Sequence, residues 1–116
     1  MELTRPEPKE SQVLKAVLRT LELHPLVSRA WRVNSGAGKL SYGNGKTSQF
    51  MKFGFPGCPD IHGYLVDGRA LYVEVKRPSG TIDTLQAEFI TAAQKNGCVA
   101  FVARRIEDVL AALGGA

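Results

Sequence analysis

The chain has 116 residues, 44% hydrophobic and 22% charged, with 15 Lys and Arg against 11 Asp and Glu for a net charge of +4. That is enough apolar material for one globular domain, taken here as residues 1–116, and a basic excess that admits a polyanionic partner without demanding one. No apolar stretch approaches the roughly 18 residues of a membrane span, the opening MELTRPEPKE lacks the apolar middle of a secretory signal, and Cys58 and Cys98 are too isolated for a disulfide framework or a thiolate zinc site. The expectation is a soluble, cytoplasmic protein with reduced thiols and no membrane partner.

In chain order, KESQVLKAVLRTLEL predicts a helix, with Val13, Leu14, Val17, Leu18 and Leu21 at helical spacing and His24-Pro25 closing it. Pro8 suits its first turn, where a missing N–H is no loss. Glu10 precedes Val13 and Leu14 by three and four positions, so it sits on the stripe that faces the core. An acid there also interacts favourably with the helix dipole, which would account for it without any further role.

Ala30 to Asn34 alternates apolar and polar as a strand does. The glycine-rich segment 36–57 follows, read as a long loop or a mobile hairpin. It interleaves Lys39, Lys46 and Lys52 with Tyr42, Phe50, Phe53 and Phe55, as a nucleic-acid contact surface would, or as a flap with some aromatics turned into the core. Its GNGKT resembles a phosphate-binding loop only superficially, because Leu40 stands where the leading glycine is needed and no strand feeds it.

Residues 60–66 and 69–77 predict two strands around Asp67-Gly68. Side chains alternate along a strand, so Glu74 and Lys76 share one face, roughly 7 Å apart, while Leu71, Val73 and Val75 point to the other. The turn decides whether Asp60 joins them. A two-residue loop would set Asp60 opposite Val75 and scramble both faces. A three-residue loop, Val66-Asp67-Gly68 with the glycine left-handed, sets Asp60 opposite Glu74, Ile61 opposite Val73 and Gly63 opposite Leu71. One face is then apolar, and the other collects Asp60, His62, Tyr72, Glu74 and Lys76. Core patterning therefore favours the three-residue loop.

Further on, Leu85, Phe89, Ile90 and Ala93 mark a helical face, Asp83 with Gln86 resembles a capping box, and Asn96-Gly97 is a fitting stop. The run 98–103 reads as a strand covered on both faces, and RIEDVLAALGGA supplies a last short helix. The expected fold class is α/β, with a mixed sheet flanked by helices in the order αβββαβα.

Two carboxylates at one spot repel each other unless a cation sits between them. Hard oxygen ligands suit Mg²⁺ or Mn²⁺ rather than zinc. Lys76 beside such an ion could position a water or hold phosphoryl oxygens. The plainer alternative is a cross-strand surface ion pair, worth about 0–1 kcal/mol.

Pro59-Asp60 with Glu74-Val75-Lys76 resembles the PD-(D/E)xK nuclease signature, and the element order is similar to the restriction-endonuclease-like core. Glu10-Ser11-Gln12, the stretch Trp31 to Asn34, the stretch Gly54 to Ile61, Glu74-Val75-Lys76 and Gln86 together resemble a stand-alone VRR-NUC domain, from about Glu10 to Val109. The resemblance implies a metal-dependent phosphodiesterase acting on DNA in a bacterial or phage-infected cell. It implies Asp60, Glu74 and the main-chain carbonyl of Val75 as metal ligands, Glu10 joining through water, and Lys76 orienting the nucleophilic water. Gln86 matches the family's helix glutamine, although capping would explain it equally well. Arg32, Asn34 and Arg77 complete the candidate DNA contacts with Lys39, Lys46 and Lys52. His62 has no counterpart in the family's motif and is read as structural. The implied substrate is branched DNA such as four-way junctions, cut by a homodimer, since symmetrical cleavage needs two centres related by a two-fold axis. A nonspecific or nicking DNase, and a non-catalytic DNA-binding module on the same fold, are the alternatives.

Overall fold

A computed structural model describes residues 5–33, 37–41, 47–52 and 54–115, the two middle segments as backbone. Helix α1 spans Glu10–Leu23, strands β1 to β5 span Val27–Arg32, Ala37–Ser41, Thr47–Lys52, Ile61–Leu65 and Ala70–Val75, helix α2 spans Thr84–Lys95, strand β6 spans Val99–Ala103 and helix α3 spans Ile106–Leu113. The protein is α/β, with a four-stranded mixed sheet in the order β1-β4-β5-β6 and three helices. β1, β4 and β5 are antiparallel, whereas β5 and β6 run parallel. A parallel neighbour cannot be reached by a tight turn, and α2 supplies the crossover.

The glycine-rich segment contains β2 and β3, an antiparallel pair forming a sheet of its own with Lys39 opposite Phe50 and Lys52 opposite Ala37. Of the two forms expected for this stretch, the hairpin is the one observed, and it adds two strands to the expected element order.

The β4–β5 turn decides the geometry of the sheet. Ile61 pairs with Val73, His62 with Tyr72 and Gly63 with Leu71, while the Leu65 N–H donates to the Arg69 carbonyl across Val66, Asp67 and Gly68. Gly68 has a φ of +91°, a conformation that an L side chain rarely adopts. The Asp67 side chain holds the turn from outside by accepting from the Arg69 N–H and Nε–H.

That register places Ile61, Leu65, Leu71, Val73 and Val75 on one face, where Val13, Val17 and Leu21 of α1 and Val109 of α3 pack over them. This layer is the main core. The opposite face differs from expectation. His62 and Tyr72 do lie on it, but α2 covers it with Ile90 and Ala93, which pack with Ala100, Tyr72 and Phe89 into a smaller apolar cluster. A parallel crossover must lay its helix on one face of the sheet, so this face carries aromatic packing as well as charge.

Four local expectations are corrected. Pro8 lies outside α1, one residue before the N-cap Lys9, whose N–H donates to the Gln12 side chain at 2.9 Å. β1 begins at Val27 rather than Ala30, and it contains a register shift between Val27 and Arg29 that breaks the simple alternation by which strands are recognised. Leu85 does not join the buried face of α2 and is 51% exposed. Glu10 continues the Val13–Val17–Leu21 stripe but is exposed, because it occupies the first residue of the helix, past the edge of the buried layer.

Candidate metal centre

Asp60 ends the connection into β4, and Glu74 is the penultimate residue of β5. Asp60 is anchored from two sides. Its carbonyl accepts from the Val33 N–H at 2.7 Å, and its Oδ2 accepts from the Val75 N–H at 2.8 Å, so the side chain takes over where the ladder ends. Pro59, fully buried, fixes the approach of the chain.

Glu74 is only 2% exposed, a rare position for a carboxylate without a full set of partners. Its Oε1 accepts from Gln86 Nε2 at 3.0 Å and lies 3.9 Å from Lys76 Nζ. Its Oε2 is buried and has no hydrogen-bond partner. Burial raises the Glu74 carboxyl most, and the neighbouring Asp60 carboxylate adds to this. Glu10 adds a little, Lys76 opposes, and the result is about 9 against an ordinary 4.5. Without a cation the group is therefore protonated at neutral pH.

Glu10 completes the cluster from α1. One carboxylate oxygen each from Glu10, Asp60 and Glu74 lie within 4.8 Å of one another. Three elements distant in sequence thus converge on one point, with an ammonium beside it. This donor set fits a hard divalent cation. All three groups are carboxylates, their mutual repulsion would be relieved by a positive ion, and an orphaned buried oxygen faces no protein donor.

Gln86 was expected either to cap α2 or to lie near the site, and its amide makes contacts on both sides. Its Oε1 accepts from the Asp83 N–H at 3.0 Å while Asp83 Oδ1 accepts from the Gln86 N–H at 2.9 Å, forming the capping box. This leaves Nε2 as the end that donates to Glu74. Val75, the last residue of β5, lies between Glu74 and Lys76, its side chain in the core and its N–H on Asp60.

Of the candidate DNA contacts, Arg32 is exposed at the end of β1 opposite Ile61, the neighbour of Asp60, and Arg77 is exposed directly after Lys76. Lys39 and Lys52 lie on the β2–β3 hairpin, known by its backbone register. Asn34 and Lys46 fall outside the described residues. His62 is half-buried, edge-on to Tyr72 at 5.2 Å and 3.6 Å from Cys58 Sγ, and burial lowers its pKa. The acidic cluster does not include it.

Sequence reasoning passed over Glu7 and Ser79. The Glu7 carboxylate accepts from the Ser79 N–H and, at 2.8 Å, from the Ser79 hydroxyl. These residues stand 72 positions apart, and no local pattern pairs them. Compared with protein-family models, with curated proteins and with solved structures, the chain finds no match.

Proposed function

We propose that the protein is a Mg²⁺- or Mn²⁺-dependent endonuclease that hydrolyses phosphodiester bonds in DNA, on a restriction-endonuclease-like core of the VRR-NUC type. The observation that carries this reading is the buried, unpartnered oxygen of Glu74 within a three-carboxylate cluster that also has a lysine at 3.9 Å. A surface ion pair would not bury one acid and leave half of it without a donor. The element order also supports the reading: a helix, antiparallel strands, a crossover helix, a parallel strand and a final helix.

Asp60, Glu74 and Glu10 would hold the ion, with the Val75 carbonyl as the further ligand that the family resemblance implies. When bound, it supplies Lewis acidity toward the scissile phosphate and makes a water easier to deprotonate. The chain's own groups do the rest. The Asp60–Val75 hydrogen bond and the Gln86–Glu74 hydrogen bond hold the two strand carboxylates in place, so little reorganisation is needed when substrate arrives. Lys76, at the rim of the cluster, can orient the attacking water or neutralise charge growing on the phosphoryl oxygens. Arg32 and Arg77 flank the centre and would bind the strand's phosphates.

Branched DNA such as four-way junctions is the proposed substrate class, cut by a homodimer with two centres. Labelled junction, flap and duplex DNA incubated with Mg²⁺, Mn²⁺ or EDTA test the whole proposal. Metal-dependent cutting of the junction is expected, and Asp60→Ala or Lys76→Ala should abolish it while the protein stays folded. Equal cutting of every substrate indicates a nonspecific or nicking DNase. Binding without cutting indicates a DNA-binding module. Sedimentation as a monomer at micromolar concentration removes the dimer.

A further inference from the structure

The loop after Lys76 is a place where the chain holds a negative charge outside the acidic cluster. Both oxygens of Glu7 are engaged by one residue, Ser79, through its N–H and its hydroxyl. The positive charge of Arg77 reinforces the two hydrogen bonds in holding the Glu7 carboxyl below the ordinary carboxylate range. The loop itself is braced independently of Glu7. The Gly80 N–H donates to the Arg77 carbonyl at 2.9 Å, and Arg104 donates to the Gly80 carbonyl at 3.1 Å. It also folds back on the centre, since a Cβ placed on Gly80 would lie 3.4 Å from Lys76 Cβ. Two donors are therefore held beside Lys76, with the charge of Arg77 nearby, on a scaffold that does not depend on the acid now bound there.

A carboxylate that accepts two such bonds mimics two oxygens of a phosphate, which makes the same charge-assisted contacts. We infer that Ser79, with Arg77, forms a phosphate-binding site next to the metal centre, and that Glu7 occupies it in the free protein as an intramolecular competitor. That the phosphate belongs to DNA rests on the proposed nuclease reading. Glu7, Arg77 and Ser79 are all exposed, so the exchange needs no opening of the core. A DNA strand entering the centre would displace Glu7 and take its two hydrogen bonds. Removing the acid thus frees the site, and removing the hydroxyl weakens it.

The experiment measures binding of a junction oligonucleotide with Ca²⁺ replacing Mg²⁺, alongside thermal scans of the protein with inorganic phosphate alone. Glu7→Ala should tighten DNA binding about three- to tenfold, and Ser79→Ala added to Glu7→Ala, where no competitor is released with it, should weaken it by about tenfold, the scale of one hydrogen bond to a charged group. Glu22→Ala, removing an equal charge at the other end of α1, should change binding by less than about twofold, because a distant charge is screened. Inorganic phosphate should raise the melting temperature of Glu7→Ala more than that of wild type, and least for Ser79→Ala. If DNA binds but Glu7→Ala gains no more than Glu22→Ala, the phosphate site is refuted while the nuclease reading stands. If phosphate favours Glu7→Ala over Ser79→Ala but no DNA is bound, the site stands and the nuclease reading falls. If neither ligand discriminates among the variants, the site is refuted.

Discussion

Replacing Glu74 by Gln keeps the shape of the side chain and removes its charge, and the structure sets both the sign and the scale of the result. The folded carboxyl titrates at about 9 against an ordinary 4.5. A group with a raised folded value binds its proton more tightly in the native state. Its contribution is therefore whole below about pH 4.5 and is lost progressively as the pH rises to about 9. At about pH 8 the gap spans about 3.5 units, which at about 1.4 kcal/mol each caps the loss at ~5 kcal/mol, with relaxation and water entry reducing it. Glutamine carries no such loss and can still accept from Gln86. In EDTA, urea unfolding should find Glu74→Gln and wild type of similar stability at about pH 5, with the variant the more stable by roughly 1–3 kcal/mol at about pH 8. A cation reverses the order. At a tenfold excess over its dissociation constant, Mn²⁺ or Mg²⁺ stabilises wild type by about 1.4 kcal/mol, or about 5 °C in melting temperature, and leaves the variant unmoved. This gain should shrink toward about pH 6, where protons compete for the ligands. Parallel pH profiles for the two proteins, or equal stabilisation of both by the cation, would refute the buried carboxylate as a metal ligand.

Two further substitutions test the packing that supports the site. Gln86→Ala removes one half of the capping box and the donor to Glu74 together, so it should cost about 1–3 kcal/mol in urea unfolding, and Gln86→Glu should recover the capping contact but not the bond to Glu74. Gly63→Ala would put a methyl group 2.3 Å from the Arg29 carbonyl oxygen, against backbone that cannot swing aside. An overpacking cost of about 1–3 kcal/mol is expected, and a neutral result would mean that β1 does not approach β4 as closely as described.

The relation between Asp60 and Glu74 is legible in the sequence, because it follows from alternation. Ile61, Gly63, Leu71 and Val73 have to share the apolar face, and only the three-residue turn with Gly68 left-handed allows this, which sets the two acids opposite each other. The capping role of Gln86 and the stop at Asn96-Gly97 were legible for a similar reason, since both are local exchanges of hydrogen bonds. The start of β1 was not, because the shift at Val27 and Arg29 destroys the alternation that announces a strand.

By itself, then, the amino-acid order determined the elements whose signals lie within a turn or a strand pair: helix stripes, caps, and the parity that joins Asp60 to Glu74. Only the tertiary structure decided that α2 roofs the polar face, that Glu10 is exposed at the edge of the core, and that Glu7 rests on Ser79. These depend on how separate elements pack in three dimensions. Burial of apolar surface has no direction along the chain, so residues brought together by it leave no spacing that a reader of the sequence could count.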